Sequence, residues 1–124
     1  MQSVRAIRGA TTVDLDEFEH LADRVEAMMR ALITLNDLDP DQLISVLFSA
    51  TTDIHAAFPA TVARARIAEL AGVPLLDMAE LEINGALPMC VRVMVHATTS
   101  RARSEIVHVY LEGAAALRPD VARS

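Results

Sequence analysis

The chain has no lysine, no tryptophan, one cysteine and one tyrosine among 124 residues. The single Cys90 rules out an intrachain disulfide and suits a reducing compartment. Aromatics amount to 3%, so the core must be aliphatic, built from Ala, Val, Leu, Ile and Met. Basic excess is missing too: the net charge is -6, which argues against a nucleic-acid partner. No apolar run approaches the roughly 18 residues of a membrane helix. Residues Met1 to Arg5 lack the apolar core of a signal peptide. A cytoplasmic protein without a membrane partner is the expectation. The missing lysine carries no functional reading, but it leaves all eleven basic residues as arginine.

Chemical signatures are equally sparse. There is no Walker loop, dinucleotide fingerprint or nucleophile elbow, and no metal-ligand pair at HExxH or CxxC spacing. His20, His55, His96 and His108 are scattered. Asp53 and His55 stand two residues apart, but no nucleophile accompanies them, and capping or loop hydrogen bonding is the better reading. The aspartates of Asn36 to Asp41 suggest a cation loop, yet Pro40 and the missing Gly and terminal Glu do not fit an EF-hand. No cofactor and no metal are expected.

What is present is hydrophobic, at 52% of residues. That is more than a small monomer usually needs, and it predicts burial against copies of the same chain. The length fits one domain, residues 1–124, with a mobile tail from about residue 119. Ser3 to Val13 reads as a first strand, with Arg8 on the Ala6/Ala10 face and Arg5 on the other. Asp14 to about Asn36 carries Phe18, Leu21, Val25, Met28, Met29, Leu32 and Ile33 at helical spacing. Asp14 with Glu17, or Asp16 with Glu19, offers a capping signature. Leu43 to Thr51 is nearly continuous apolar, as in a central strand covered on both faces.

Pro59 opens a helix to about Ala71, and Gly72 ends it. A short extended piece follows at Val73 to Leu76, then an Asn84-Gly85 turn. Met89 to Val95 is a strand with one arginine in its middle. Alternation puts Cys90, Arg92, Met94 and His96 on one face and the valines on the other. Glu105 to Glu112 is ambiguous between helical turn and strand, and Gly113 to Leu117 reads as a last strand. The order predicts an α+β domain: a mixed sheet with helices packed on one side.

Arg92 sets the functional question. A buried guanidinium without a partner costs several kcal/mol, so a carboxylate or an anionic ligand must meet it. Arginines, glutamates and the lone Tyr110 would hold a small polyanion through bidentate pairs. Three readings accommodate them. The arginines could pair with Glu80 and Glu82 across subunit interfaces and do nothing else. Arg92 could hold a carboxylate while Glu80 activates water against a reactive enamine. Or the set could catalyse by positioning and electrostatics alone.

Five segments decide among these. They are Arg5 to Val13 (RAIRGATTV), Ser49 to Ala60 (SATTDIHAAFPA), Val73 to Glu80 (VPLLDMAE), Cys90 to Met94 (CVRVM), and His108 to Glu112 with Leu117 to Asp120. In this order they resemble the trimeric, non-helical class of chorismate mutase over nearly the whole chain. The resemblance implies an isomerase converting chorismate to prephenate in aromatic amino-acid biosynthesis. It also implies a homotrimer with a barrel-like centre and sites between subunits.

By that resemblance Arg92 bonds the breaking ether oxygen, Arg8 binds a substrate carboxylate with Tyr110 assisting, and Glu80 takes the ring hydroxyl. Phe58, Ala60, Arg64, Leu75, Leu76, Asp77, Leu81 and Leu117 line or rim the pocket, and Arg118 lies on a closing tail. Two positions depart from the family pattern. Thr61 stands where relatives often carry a basic residue, and Asp77 where a thiol occurs. A carboxylate there is unfavourable beside a dianion unless it points at a hydroxyl or at arginine.

Overall fold

The computed structural model describes residues 1–117; Arg118 and the tail from residue 119 lie outside the described residues. Alternating and β-branched segments form strands β1 (Ser3–Thr12), β2 (Leu43–Ala50), β3 (Leu75–Ala79), β4 (Cys90–Thr99) and β5 (Val109–Tyr110). The two amphipathic stretches form helices α1 (Phe18–Leu35) and α2 (Pro59–Arg66). The sheet order is β3-β2-β4-β1-β5. β4 runs antiparallel to both neighbours, whereas β2–β3 and β1–β5 are parallel. This is the mixed sheet expected.

Both helices cover one face. Leu21, Val25, Met28, Met29 and Leu32 of α1 are fully buried, together with Ile7, Val46, Phe48, Val91, Val95 and Val109 of the sheet. Each such side chain contributes roughly 1.5–3 kcal/mol of burial. Gly9 sets how closely α1 approaches, because a Cβ there would stand 2.9 Å from Val93 Cγ1 and 3.4 Å from Met28 Cγ. Arg66 binds Glu19, Asp23 and Glu26 of α1 at 2.6–3.2 Å. These pairs are exposed and contribute little energy, but they fix α2 against α1.

β5 has only two residues, and several bonds pin it. The buried Asn36 at the end of α1 donates to the Val107 carbonyl and accepts the Val107 N–H. The Arg8 N–H donates to His108 Nδ1, and the Leu111 N–H donates to the Ala10 carbonyl.

Four expectations need correction. The first helix starts at Phe18 and not near Asp14, and its N-cap Glu17 makes no side-chain cap bond. Asp14 instead pairs with Arg24 at 2.7 Å, and Asp16 accepts the His55 and Ala56 N–H groups. Phe18, one register outside the buried stripe, is exposed. β2 is covered on its helix side only, and Ile44 is exposed. Gly113 to Leu117 is not a strand: Glu112–Ala116 is a 3-10 turn, entered through Glu112 at φ 52°. A run this short satisfies its own backbone in a tight turn, and the Gly113 N–H donates to Thr12 Oγ1. Finally, α2 stops at Arg66, and a separate 3-10 turn, Ala68–Leu70, carries the chain on to Gly72.

Candidate active site

The helix-free face of the sheet carries the chemistry. Cross-strand register sets Tyr110 beside Ala10, Ala10 opposite Arg92, Arg92 opposite Ser49, and Ser49 beside Met78. One row of side chains thus crosses all five strands. The next row holds Arg8, Met94, Leu47 and Leu76. Arg8 and Arg92 therefore share a face one row apart.

Glu80 follows the last residue of β3 and anchors there through its N–H to the Ala50 carbonyl. Its Oε1 lies 3.2 Å from Arg92 Nε and accepts a hydrogen bond from the Ser49 hydroxyl. The Glu80 side chain is 17% exposed and that of Arg92 35%. Arg92 Nε itself is buried and has no aligned hydrogen-bond partner among the described residues. The accessible part of the guanidinium therefore lies beyond Nε. Of the two glutamates considered for pairing, only Glu80 faces an arginine; Glu82 accepts from Thr52 Oγ1.

Tyr110 is 1% exposed, packed with Ala10, Ala114, Leu87 and Leu117. Its hydroxyl is buried without a partner among the described residues. An unpaired buried hydroxyl costs about 1–3 kcal/mol, which a bound oxygen ligand would remove. Leu81 is exposed and lines a 180 Å³ pocket with Glu80, Asp53 and Leu87. Cys90 is fully buried at the end of the same strand. Burial pushes its thiol up, against the opposing charge of Arg92, which leaves an inert packing residue.

The remaining expected residues gather elsewhere. Asp77 alternates with Met78 and so points to the helix side of β3. Its Oδ1 accepts the Ala60 N–H at 3.0 Å, in the first turn of α2. Asp77 thus points at a helix N-terminus, where negative charge is favourable, with Arg64 close enough to act on it. Phe58 and Asp77 line a cleft of about 720 Å³ with Thr61, Met78 and residues 50–52 and 54–57. Ala60 is nearly buried, Arg64 is exposed, and Leu75 packs against the main core. The loop carrying Phe58 is braced by two carboxylates. Asp16 holds the His55 and Ala56 N–H groups, while Asp53 accepts from Thr51 Oγ1 and the Met89 N–H. That matches the loop-bonding reading of Asp53.

The expected residues thus fall into two groups. Arg8, Glu80, Arg92, Tyr110 and Leu117 belong to the helix-free face and its rim. Phe58, Ala60, Arg64, Leu75 and Asp77 belong to α2 and the β3 edge. Two residues in this arrangement escaped sequence reasoning. Ser49 sits in an apolar strand, and nothing in the sequence marks it until β2 pairs with β4. Asp16, one of the two candidate caps of α1, serves the loop at residues 55–56 in place of the helix.

Asp77 yields a pH prediction. Burial raises its pKa, outweighing the Ala60 N–H and the Arg64 charge. A raised native pKa means the folded state holds the proton longer than the unfolded state. That contribution to stability is present below the ordinary carboxylate range and is lost as pH rises through the native value. Asp77→Asn keeps the oxygen that caps α2 and removes the charge. Its melting temperature should match wild type near pH 3 and exceed it at pH 7, on the order of 1–3 °C. A difference of the same size at both pH values would contradict the burial effect.

Comparison with known proteins bears on the family and the fold. Residues 4–121 match the family model described as chorismate mutase type I. The chain is 40% identical over 121 residues to the chorismate mutase AroH of Bacillus subtilis (strain 168), covering 95% of this chain and 92% of that protein. It is 35% identical over 119 residues to the chorismate mutase AroH of Thermus thermophilus, covering 95% and 96%. The fold matches a chorismate mutase from Clostridium thermocellum with a TM-score of 0.85 at 37% identity, over 90% of this chain and 98% of that one. With the mixed sheet, the Arg92–Glu80 pair and the Tyr110 row all carried on a sequence that matches nearly end to end, the chain belongs to the type I chorismate mutases.

Proposed function

We propose that the protein converts chorismate to prephenate, as a single-domain cytoplasmic enzyme that works as a homotrimer. The reaction breaks an ether C–O bond while a C–C bond forms at the other end of the same molecule. No proton moves and no group leaves, so no nucleophile, metal or cofactor is needed. The requirements are a flexible diacid held in a compact, reactive shape and fixed positive charge where the ether oxygen gains electrons.

The observation that carries the reading is the Arg92–Glu80 pair on the open sheet face, with Nε buried and the rest of the guanidinium accessible. Arg92 presents donors to the ether oxygen, and Glu80 accepts the ring hydroxyl. Arg8, one row away, takes a carboxylate, and Tyr110 supplies the hydroxyl that otherwise lacks a partner. One preorganised donor is worth about 3–4 kcal/mol, whereas enzymes lower barriers by at least roughly 8 kcal/mol. Substrate positioning by Arg8, Arg64, Tyr110 and the apolar residues Phe58, Leu75, Leu76 and Leu117 supplies the remainder. Arg64 and Phe58 lie with the second group, which supports a site shared between subunits. Asp77, turned to the α2 backbone, keeps its charge off the substrate.

The direct test follows the loss of the chorismate diene absorbance with purified protein, without added cofactor or metal. Turnover is expected under these conditions. No turnover at micromolar enzyme would sink the assignment, and ammonia release from imino acids would favour the enamine reading in its place.

A further inference from the structure

We infer that Ser49 is a positioning residue, which fixes the Glu80 carboxylate so that one oxygen serves Arg92 and the other serves the substrate. The inference rests on the chorismate-to-prephenate reading and assigns a residue that reading does not use.

Glu80 stands just beyond β3, at the sheet edge, where nothing in the strand ladder sets its side-chain torsions. Two contacts of the carboxylate do so, beside a backbone anchor. Its N–H is bound to the Ala50 carbonyl, its Oε1 receives the Ser49 hydroxyl, and the same Oε1 faces Arg92 Nε at 3.2 Å. Ser49 lies opposite Arg92 in the ladder, so the hydroxyl reaches Glu80 from the row that carries the guanidinium. Both side-chain contacts fall on Oε1, which leaves Oε2 for a ligand hydroxyl. The Nε approach is not an aligned hydrogen bond. Attraction to Arg92 alone therefore leaves the carboxylate free to swing, and the directional bond comes from Ser49. A carboxylate only 17% exposed needs such donors to satisfy its oxygens. Ser49 touches no reacting atom; it acts through Glu80 and, through Glu80, on the plane of Arg92.

The experiment is a double-mutant cycle read by chorismate kinetics. Ser49→Ala should lower kcat/KM about 10- to 100-fold, with kcat carrying most of the loss, because Arg92 and Glu80 act on the transition state more than on bound substrate. Ser49→Thr, which keeps the hydroxyl, should recover most of the rate. In a Glu80→Gln background, Ser49→Ala should cost less than about threefold, since its target is already altered. If Ser49→Ala does not fold, as read by its thermal melt, Ser49→Cys takes its place: it keeps the volume with a poor donor and should be as slow. A Ser49→Ala enzyme within twofold of wild type, or equal losses in both backgrounds, would overturn the role while leaving the mutase reading intact. A wild-type protein inactive on chorismate would overturn both.

Discussion

Arg92→Lys is expected to lower kcat by 100- to 1,000-fold or more while the protein keeps its fold. The charge survives the substitution, so a purely electrostatic account predicts a modest loss. Geometry predicts a large one. Arg92 reaches the site from near the start of a strand flanked on both sides, opposite Ala10 and Ser49. Its Nε is turned to Glu80, and that contact orients the plane in which the remaining donors lie. Lysine offers one rotating ammonium with no Nε branch and no plane. It can satisfy Glu80 or approach the ether oxygen, but not both in a fixed geometry. Loss of a single preorganised donor costs about 10²–10³ in kcat, and the disturbed Glu80 adds to that. Stability should change little, since the side chain is 35% exposed and packs outside the valine core. Diene-loss kinetics and a thermal melt on the same preparation give the answer. Near-normal turnover with an unchanged melt would remove Arg92 from the chemistry.

Local pattern gave away the strands and helices because burial dictates it. The valines of β4 alternate with Cys90, Arg92, Met94 and His96, and the period of two assigns faces without any knowledge of neighbours. The α1 stripe is legible for the same reason. What was misread depends on contacts distant in sequence. Asp16 has the residue type and spacing of a helix cap, but residues 55–56 claim its carboxylate. Leu43 to Thr51 has the composition of a strand covered twice, yet among the described residues only one of its faces is covered.

Gly113 to Leu117 is apolar like a strand, but Ala114 and Leu117 pack over Tyr110 from a 3-10 turn. The division of the expected residues into two groups was out of reach for the same physical reason. It follows from the order β3-β2-β4-β1-β5 and from Asp77 lying one residue out of phase with Met78. Spacing along the chain does not encode which strands become neighbours. Ser49 shows the limit most clearly. A hydroxyl in an apolar strand is unremarkable until the ladder places it opposite Arg92 and beside Glu80.

Leu47→Asp should separate the subunits and abolish turnover, with the isolated chain still folded. Leu47 is half-buried in the row that joins Arg8, Met94 and Leu76, and among the described residues no helix covers that face. Leu76, Met78 and Ile44 are exposed nearby, at 55%, 48% and 42%. An apolar surface of this kind on a small domain is a protein-protein contact more often than a solvated face. A carboxylate there costs the monomer little, because the position already meets water. In an assembly the same carboxylate becomes a buried charge with no partner, which costs several kcal/mol per copy. The catalytic loss follows from the two groups. Arg8, Glu80, Arg92 and Tyr110 sit on the open face, whereas Phe58, Ala60, Arg64 and Asp77 sit with α2, so on the proposed reading a lone chain does not complete a site that draws on both groups. Loss of positioning alone reaches at least about 100-fold. Light scattering coupled to size exclusion should report a trimer for wild type and a monomer for the variant, with a cooperative melt in both. A variant that is monomeric and fully active would place the whole site within one chain. A variant that remains trimeric and active would show that the contact avoids Leu47.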